Sequence, residues 1–273
     1  MGRLELEANL RTQCDRLRSH LGAPGGPGLT AATPRAAQLS QYLALSHSTS
    51  PKKFARICKD SQLYSRVGFN QHTNQSLPLD ATDVQMGTSD CVFFYAAPFR
   101  YPHTNCGFLF AATLEDERSQ DGTASPFDSG GLVHHIGIPP EFASPADFLR
   151  QHEFPVPDHR EYLSLTMDNL FDQPESYIEG RAPALLGCLG LSGGDERMWT
   201  HEVRLPKRVA LRGRHLQAVF AHRALPAANP DIEALFQWCA DEDVDRIAFD
   251  GPEDGDFETL RRECISYLRT KLY

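Results

Sequence analysis

The sequence predicts a mixed α+β protein, with central sheets flanked by helices. Apolar, strand-like runs gather in the middle of the chain and helical patterns lie toward both ends. The two do not alternate as they would in a doubly wound parallel sheet. The chain's 273 residues, 41% hydrophobic and 23% charged, supply ample material for a buried core. The expected organisation is a helical arm with a Gly/Pro-rich link over residues 1–33, then one α+β catalytic domain over residues 34–273.

In the arm, Leu4, Leu10, Leu17 and Leu21 are spaced among charges as one apolar stripe of a helix. The run "GAPGGPGLTAATP" ends that helix, because Gly and Pro dominate it. "AAQLSQYLAL" fits either a short helix or a strand and leads into Ser46-His47-Ser48-Thr49-Ser50-Pro51. Ser50 reads as a helix N-cap with Pro51 at the first helical position, and Phe54, Ile57 and Cys58 give the following helix one apolar face.

"CVFFYAAPF" from Cys91 is the clearest strand, apolar throughout and so expected to be covered on both faces. "CGFLFAATL" and "GGLVHHIGI" read as two more, joined by the polar segment "EDERSQDGTASPFDSGG", which reads as a long loop. "ASPADFLRQHEF" resembles a capped helix, whereas "PESYIEGRAPALLGCLGLSGG" has no clear pattern. In "MWTHEVRLPKRVAL", Trp199, His201, Val203 and Leu205 alternate with Thr200, Glu202 and Arg204, the period of a half-buried strand. "HLQAVFAHRAL" continues as strand, and the chain closes with a helix, the short apolar "RIAFD" and a second helix.

A net charge of −9 and a pI near 5.6 argue against a general phosphate-backbone binder of nucleic acid. The start lacks a signal-peptide pattern, no 18-residue apolar run occurs, and the seven cysteines form no CxxC pair. These features together lead to the expectation of a cytoplasmic protein with reduced thiols and no membrane partner.

His47 sits among small hydroxyl residues where a strand hands over to a helix. It could simply satisfy local backbone groups there. Glu202, a lone carboxylate on a strand, would ordinarily face solvent or pair with Arg204 or Lys207.

In chain order, a strand ending His-Ser-Thr-Ser before a helix, an apolar strand bearing an aromatic ("VFFYAAPF") and a later "HEVRLP" resemble the three motifs of the ADP-ribosyltransferases. That resemblance implies a split β core, NAD as substrate, and transfer of ADP-ribose to an acceptor it leaves unidentified, macromolecular or small. The catalytic residues it implies are His47, Tyr95 and Glu202. His47 would bond the ribose, with Ser48 and Thr49 holding nearby edges, and Tyr95 would stack on the nicotinamide. Glu202 would bond the ribose 2'-hydroxyl and stabilise the ribosyl cation, and Arg56 and Arg66 are candidates for the pyrophosphate. Such chemistry would suit an intracellular toxin or defence effector. Ser48 stands where the family usually has Gly, and Thr200 stands where arginine-modifying relatives have Glu or Gln. The assignment requires ring and carboxylate to line one cleft.

Other readings compete. "PFDSGGLV" looks like the nucleophile loop of trypsin-like proteases, with Ser129 as nucleophile and His72 or His103 with Asp116 as partners. Phe127 and Leu132 depart from that pattern, and Asp128 reads more simply as a turn residue. His134, His135, His152, Asp158 and His159 match no metal spacing, so no metal is expected. A non-enzymatic module that docks a protein partner through the N-terminal helix also stays open.

Overall fold

The computed structural model describes residues 31–96, 98–99, 104–130, 142–183, 199–250 and 257–272. The leucine-striped arm, the strand expected in "GGLVHHIGI" and His103, His134 and His135 lie outside them.

The run that sequence left open is helix α1 (Pro34–Tyr42), capped by Thr33, whose hydroxyl accepts from the Ala36 N–H at 3.2 Å. Strand β1 (Leu45–Thr49) then hands over to α2 (Pro51–Asp60) with Pro51 at the first helical position, as expected. Ser50 has the extended backbone of an N-cap, but its side chain makes no capping bond. The chain continues through β2 (Gln62–Tyr64), α3 (Arg66–Thr73), α4 (Ala81–Met86), β3 (Cys91–Tyr95) and β4 (Cys106–Phe110).

The segment read as a long loop is more ordered than its polarity suggested. It starts within α5 (Thr113–Glu117) and contains β5 (Thr123–Ser125), which pairs with two other strands. Next come α6 (Pro145–His152), capped by Ser144, β6 (Phe154–Pro155), a 3-10 turn, α7 (His159–Leu170) and α8 (Pro174–Ile178). Strands β7 (Glu202–Pro206), β8 (Arg208–Ala210) and β9 (Leu216–His222), helices α9 (Ala224–Ala228) and α10 (Pro230–Asp241), strand β10 (Asp245–Phe249) and helix α11 (Phe257–Leu272) complete the order.

The fold is α+β, as the sequence predicted. One sheet has eight strands in the order β10-β9-β4-β1-β3-β7-β5-β6, and β2 and β8 form a second, two-stranded sheet. The large sheet is mixed: β9 and β10 are parallel and joined through α10, and the remaining pairs are antiparallel. Strand β7 lies between β3 and β5, so Glu202, Val203, Arg204 and Leu205 are all buried and the expected half-buried strand is covered on both faces.

Register decides which residues share a face. Ser46 pairs with Tyr95, Tyr95 with Glu202, and Glu202 with Ser125, so these four lie in one row on one face. His47 pairs with Phe108 on β4, and its ring meets Phe94 at 5.7 Å, which puts it on the opposite face. Phe54 of α2 stacks on Phe108 at 4.8 Å, so α2 covers the His47 face. Among the described residues, no helix is long and apolar enough to cross a membrane.

Candidate ligand cleft and buried acid cluster

A cleft opens where two central strands part. Strand β1 pairs with β4 over five positions but with β3 at Ser46 alone, and beyond that residue the ladder is broken. The His47 side chain bridges the gap, its Nδ1 lying 2.9 Å from the Phe93 carbonyl oxygen. A carbonyl only accepts, so Nδ1 carries the proton and Nε2 holds the lone pair. Burial pushes the ring below the ordinary histidine range; the Phe93 bond opposes this and nearby Lys53 reinforces it. His47 therefore presents the cleft with a neutral ring whose remaining nitrogen is an acceptor.

The cleft has a volume of about 320 Å³ and brings together His47, Ser48, Thr49, Arg56 and Arg66, five of the predicted binding residues. Lys53, Tyr64, Phe69 and Asp83 also line it, and sequence reasoning did not single them out. Lys53 and Arg56 were within reach of a helical reading, since positions three apart on α2 share a side. Lys53, Arg56 and Arg66 form no ion pair with another described residue, although Asp60 and Asp83 stand in the same wall. The Ser48 hydroxyl is buried and has no hydrogen-bond partner among the described residues. Cations free of ion pairs among the described residues, in a cavity of this size, suit a polar, anionic ligand.

Tyr95 and Glu202 do not line this cleft. They sit on the opposite face in a dry cluster, Glu202 at 1% exposure and Tyr95 at 4%. The Ser129 hydroxyl donates to Glu202 Oε1 at 2.6 Å, the Tyr95 hydroxyl donates to Asp128 at 3.4 Å, and Arg204 Nε stands 3.7 Å from Glu202. Arg204 makes its closer ion pair, at 3.0 Å, with Glu153.

Burial pushes the Glu202 carboxyl up to about 8, and Asp128 and Asp83 add to the rise while Arg204 and the Ser129 bond oppose it. At neutral pH the group is held as the acid. A neutral carboxyl cannot meet positive charge developing on a ribose as a carboxylate would. The expectation that His47 and Glu202 line one cleft is thus corrected: alternation along the strands turns them to opposite faces.

Among the described residues, Asp83 and Cys91 line the cleft and are also in electrostatic contact with the cluster. Burial raises the Asp83 carboxyl to about 6, with Asp80 and Asp128 adding to this, and Arg66 and a Thr88 bond opposing it.

Several of the other sequence candidates have described partners. Ser129 bonds to a carboxyl and not to an imidazole, and His72 is stacked on Tyr64 at 4.7 Å. His152 Nδ1 bonds to the Phe148 carbonyl at 2.7 Å. His159 meets Glu115 at 2.9 Å, and Glu115 also takes Arg160. Among the described residues no three His, Cys, Asp or Glu side chains cluster as metal ligands. No protein-family model matches this chain, and no curated protein matches it.

Proposed function

We propose that the protein binds a nucleoside phosphate in the His47 cleft, and that NAD is its ligand. The observation that carries this reading is the 2.9 Å contact of His47 Nδ1 to Phe93 O, which sets the tautomer, beside three cations that form no ion pair with another described residue. A neutral imidazole acceptor fits a ribose hydroxyl, which donates, and does not fit a phosphate, which only accepts. Lys53, Arg56 and Arg66 supply the positive charge that phosphate needs. Ser48, whose hydroxyl has no partner among the described residues, adds a donor and acceptor within the same wall.

In this reading ADP-ribosyl transfer is the activity that bound NAD would feed. Glu202 would take part in it only after leaving Ser129, ionising and reaching the cleft side of the sheet. A second reading, a nucleotide-binding module without chemistry, is favoured by the opposite facing of His47 and Glu202.

Calorimetric titration with NAD tests the binding step, with saturable binding expected and its absence overturning the proposal. Nicotinamide release from the same samples separates the two readings. Release by the wild type that is lost in Glu202→Gln supports the transferase, and binding without release supports the module.

A further inference from the structure

The cleft lining is of two chemical kinds, and one of them has the form of a nucleobase site. Arg56 sits over Phe69 of α3, its guanidinium carbon 4.0 Å from the ring centroid. It forms no ion pair among the described residues. Leu77 adds an aliphatic surface to this wall, and its position is fixed by a two-point clamp: Asn70 Nδ2 donates to the Leu77 carbonyl at 2.9 Å and the Leu77 N–H donates to Asn70 Oδ1 at 3.1 Å. Leu77 is 36% exposed. The lining also contains the polar His47, Ser48 and Thr49 and the carboxyls of Asp60 and Asp83.

Arg56 lines the cleft, and a guanidinium over one ring can offer its other face to a second planar group. That face can take a planar base, while the in-plane N–H donors at its edge stay free for hydrogen bonds. Lys53 and Arg66 are not stacked on any ring among the described residues and remain available to phosphate.

We propose that Arg56 on Phe69 is the stacking platform for the nucleobase of the bound nucleotide, with Leu77 in the same wall, and that phosphate is held by Lys53 and Arg66. This rests on the nucleotide-binding reading above, and it reassigns Arg56 from the pyrophosphate role that the motif resemblance implied.

The test compares two ligands that differ in the base alone, adenosine 5'-monophosphate and ribose 5-phosphate, by calorimetric competition on the full chain. Arg56→Lys keeps the charge and removes the plane. Phe69→Leu keeps an apolar side chain and removes the ring beneath the guanidinium. Each variant should weaken the nucleotide roughly tenfold, the size of one base–side-chain stack, and leave ribose 5-phosphate within about twofold. Equal losses for both ligands would put Arg56 on the phosphate and overturn the assignment. Unchanged nucleotide affinity would overturn it as well. If wild type binds neither ligand, the nucleotide reading itself fails and the assignment falls with it.

Discussion

The His47 cleft and the Glu202 cluster lie two strand spacings apart on one sheet, about 10 Å, yet they handle charge in opposite ways. The cleft is open and holds cations that form no ion pair with another described residue. The cluster is dry, and its central acid retains its proton. Both contain residue types that sequence reasoning ties to one reaction, but a strand turns alternate residues to opposite faces, and one step of register separates the His47 row from the Tyr95–Glu202 row. Residue chemistry alone does not locate a site; the face does.

The largest expected effect breaks both regions at once. Phe108 is fully buried, pairs with His47 across β1 and β4, and stacks on Phe54. Phe108→Ala should cost about 3–5 kcal/mol of stability, read from denaturant midpoints, because the cavity would lie under the centre of the sheet. A loss below about 1 kcal/mol would mean that the two regions are held by separate cores.

The next effect falls on one side only. Arg66→Ala should weaken NAD about tenfold or more in calorimetry, since hydrogen bonds to charged groups contribute roughly 1.5–3 kcal/mol each. The same variant should reduce the dependence of affinity on salt, as one phosphate contact is gone. Unchanged affinity would remove Arg66 from the ligand and leave Lys53 as the phosphate contact.

These contrasts also show what the chain made legible. Strands β3 and β4 and the β1-to-α2 handover could be read locally, because apolar runs and a Ser-Pro junction leave short-range signals. Helix α7 left none: it is buried on most sides, so it carries no polar face to set a period. Strand β5 was hidden because its three residues sit among polar neighbours and gain order only by pairing with β7 and β6. In the candidate site, the residues from Ser48 to Arg66 are close in sequence and meet in one cleft, as expected of local structure. The relation of that stretch to Glu202 depended on strand order and register, which are set by long-range pairing. Phe69 and Leu77 lacked any motif, and their meaning came from Arg56 and Asn70.

Glu202→Gln sharpens the contrast through stability. The carboxyl is raised by burial to about 8 in the folded chain, above the ordinary 4.5, so the folded state holds a proton that the unfolded state has released. Stability from this group is full below the unfolded value and is lost as pH rises toward the folded one. An uncharged amide avoids that loss. The variant should melt a few degrees above wild type at pH 8 and about level with it at pH 4.5, while binding NAD as tightly. Equal melting at both pH values would show that Glu202 is ionised in its pocket, which would restore it as a candidate for stabilising a ribosyl cation.

The smallest effect concerns His47, and its sign is informative. Burial lowers the ring below 6.5, so it stays neutral through the range in which an exposed histidine gains charge. Asp83, in the same wall and raised to about 6, loses negative charge as pH falls through that value, which helps an anionic ligand bind. Between pH 8 and pH 6, NAD affinity should therefore hold or rise by about twofold and not fall. A drop over that interval would mean that His47 takes up a proton and loses its acceptor, which would remove the ribose contact from the cleft. His47→Gln distinguishes this from an effect of Asp83, because the amide keeps an acceptor with no proton to gain. If the profile of that variant follows wild type, the dependence belongs to Asp83, and if the variant abolishes a wild-type drop, it belongs to the imidazole.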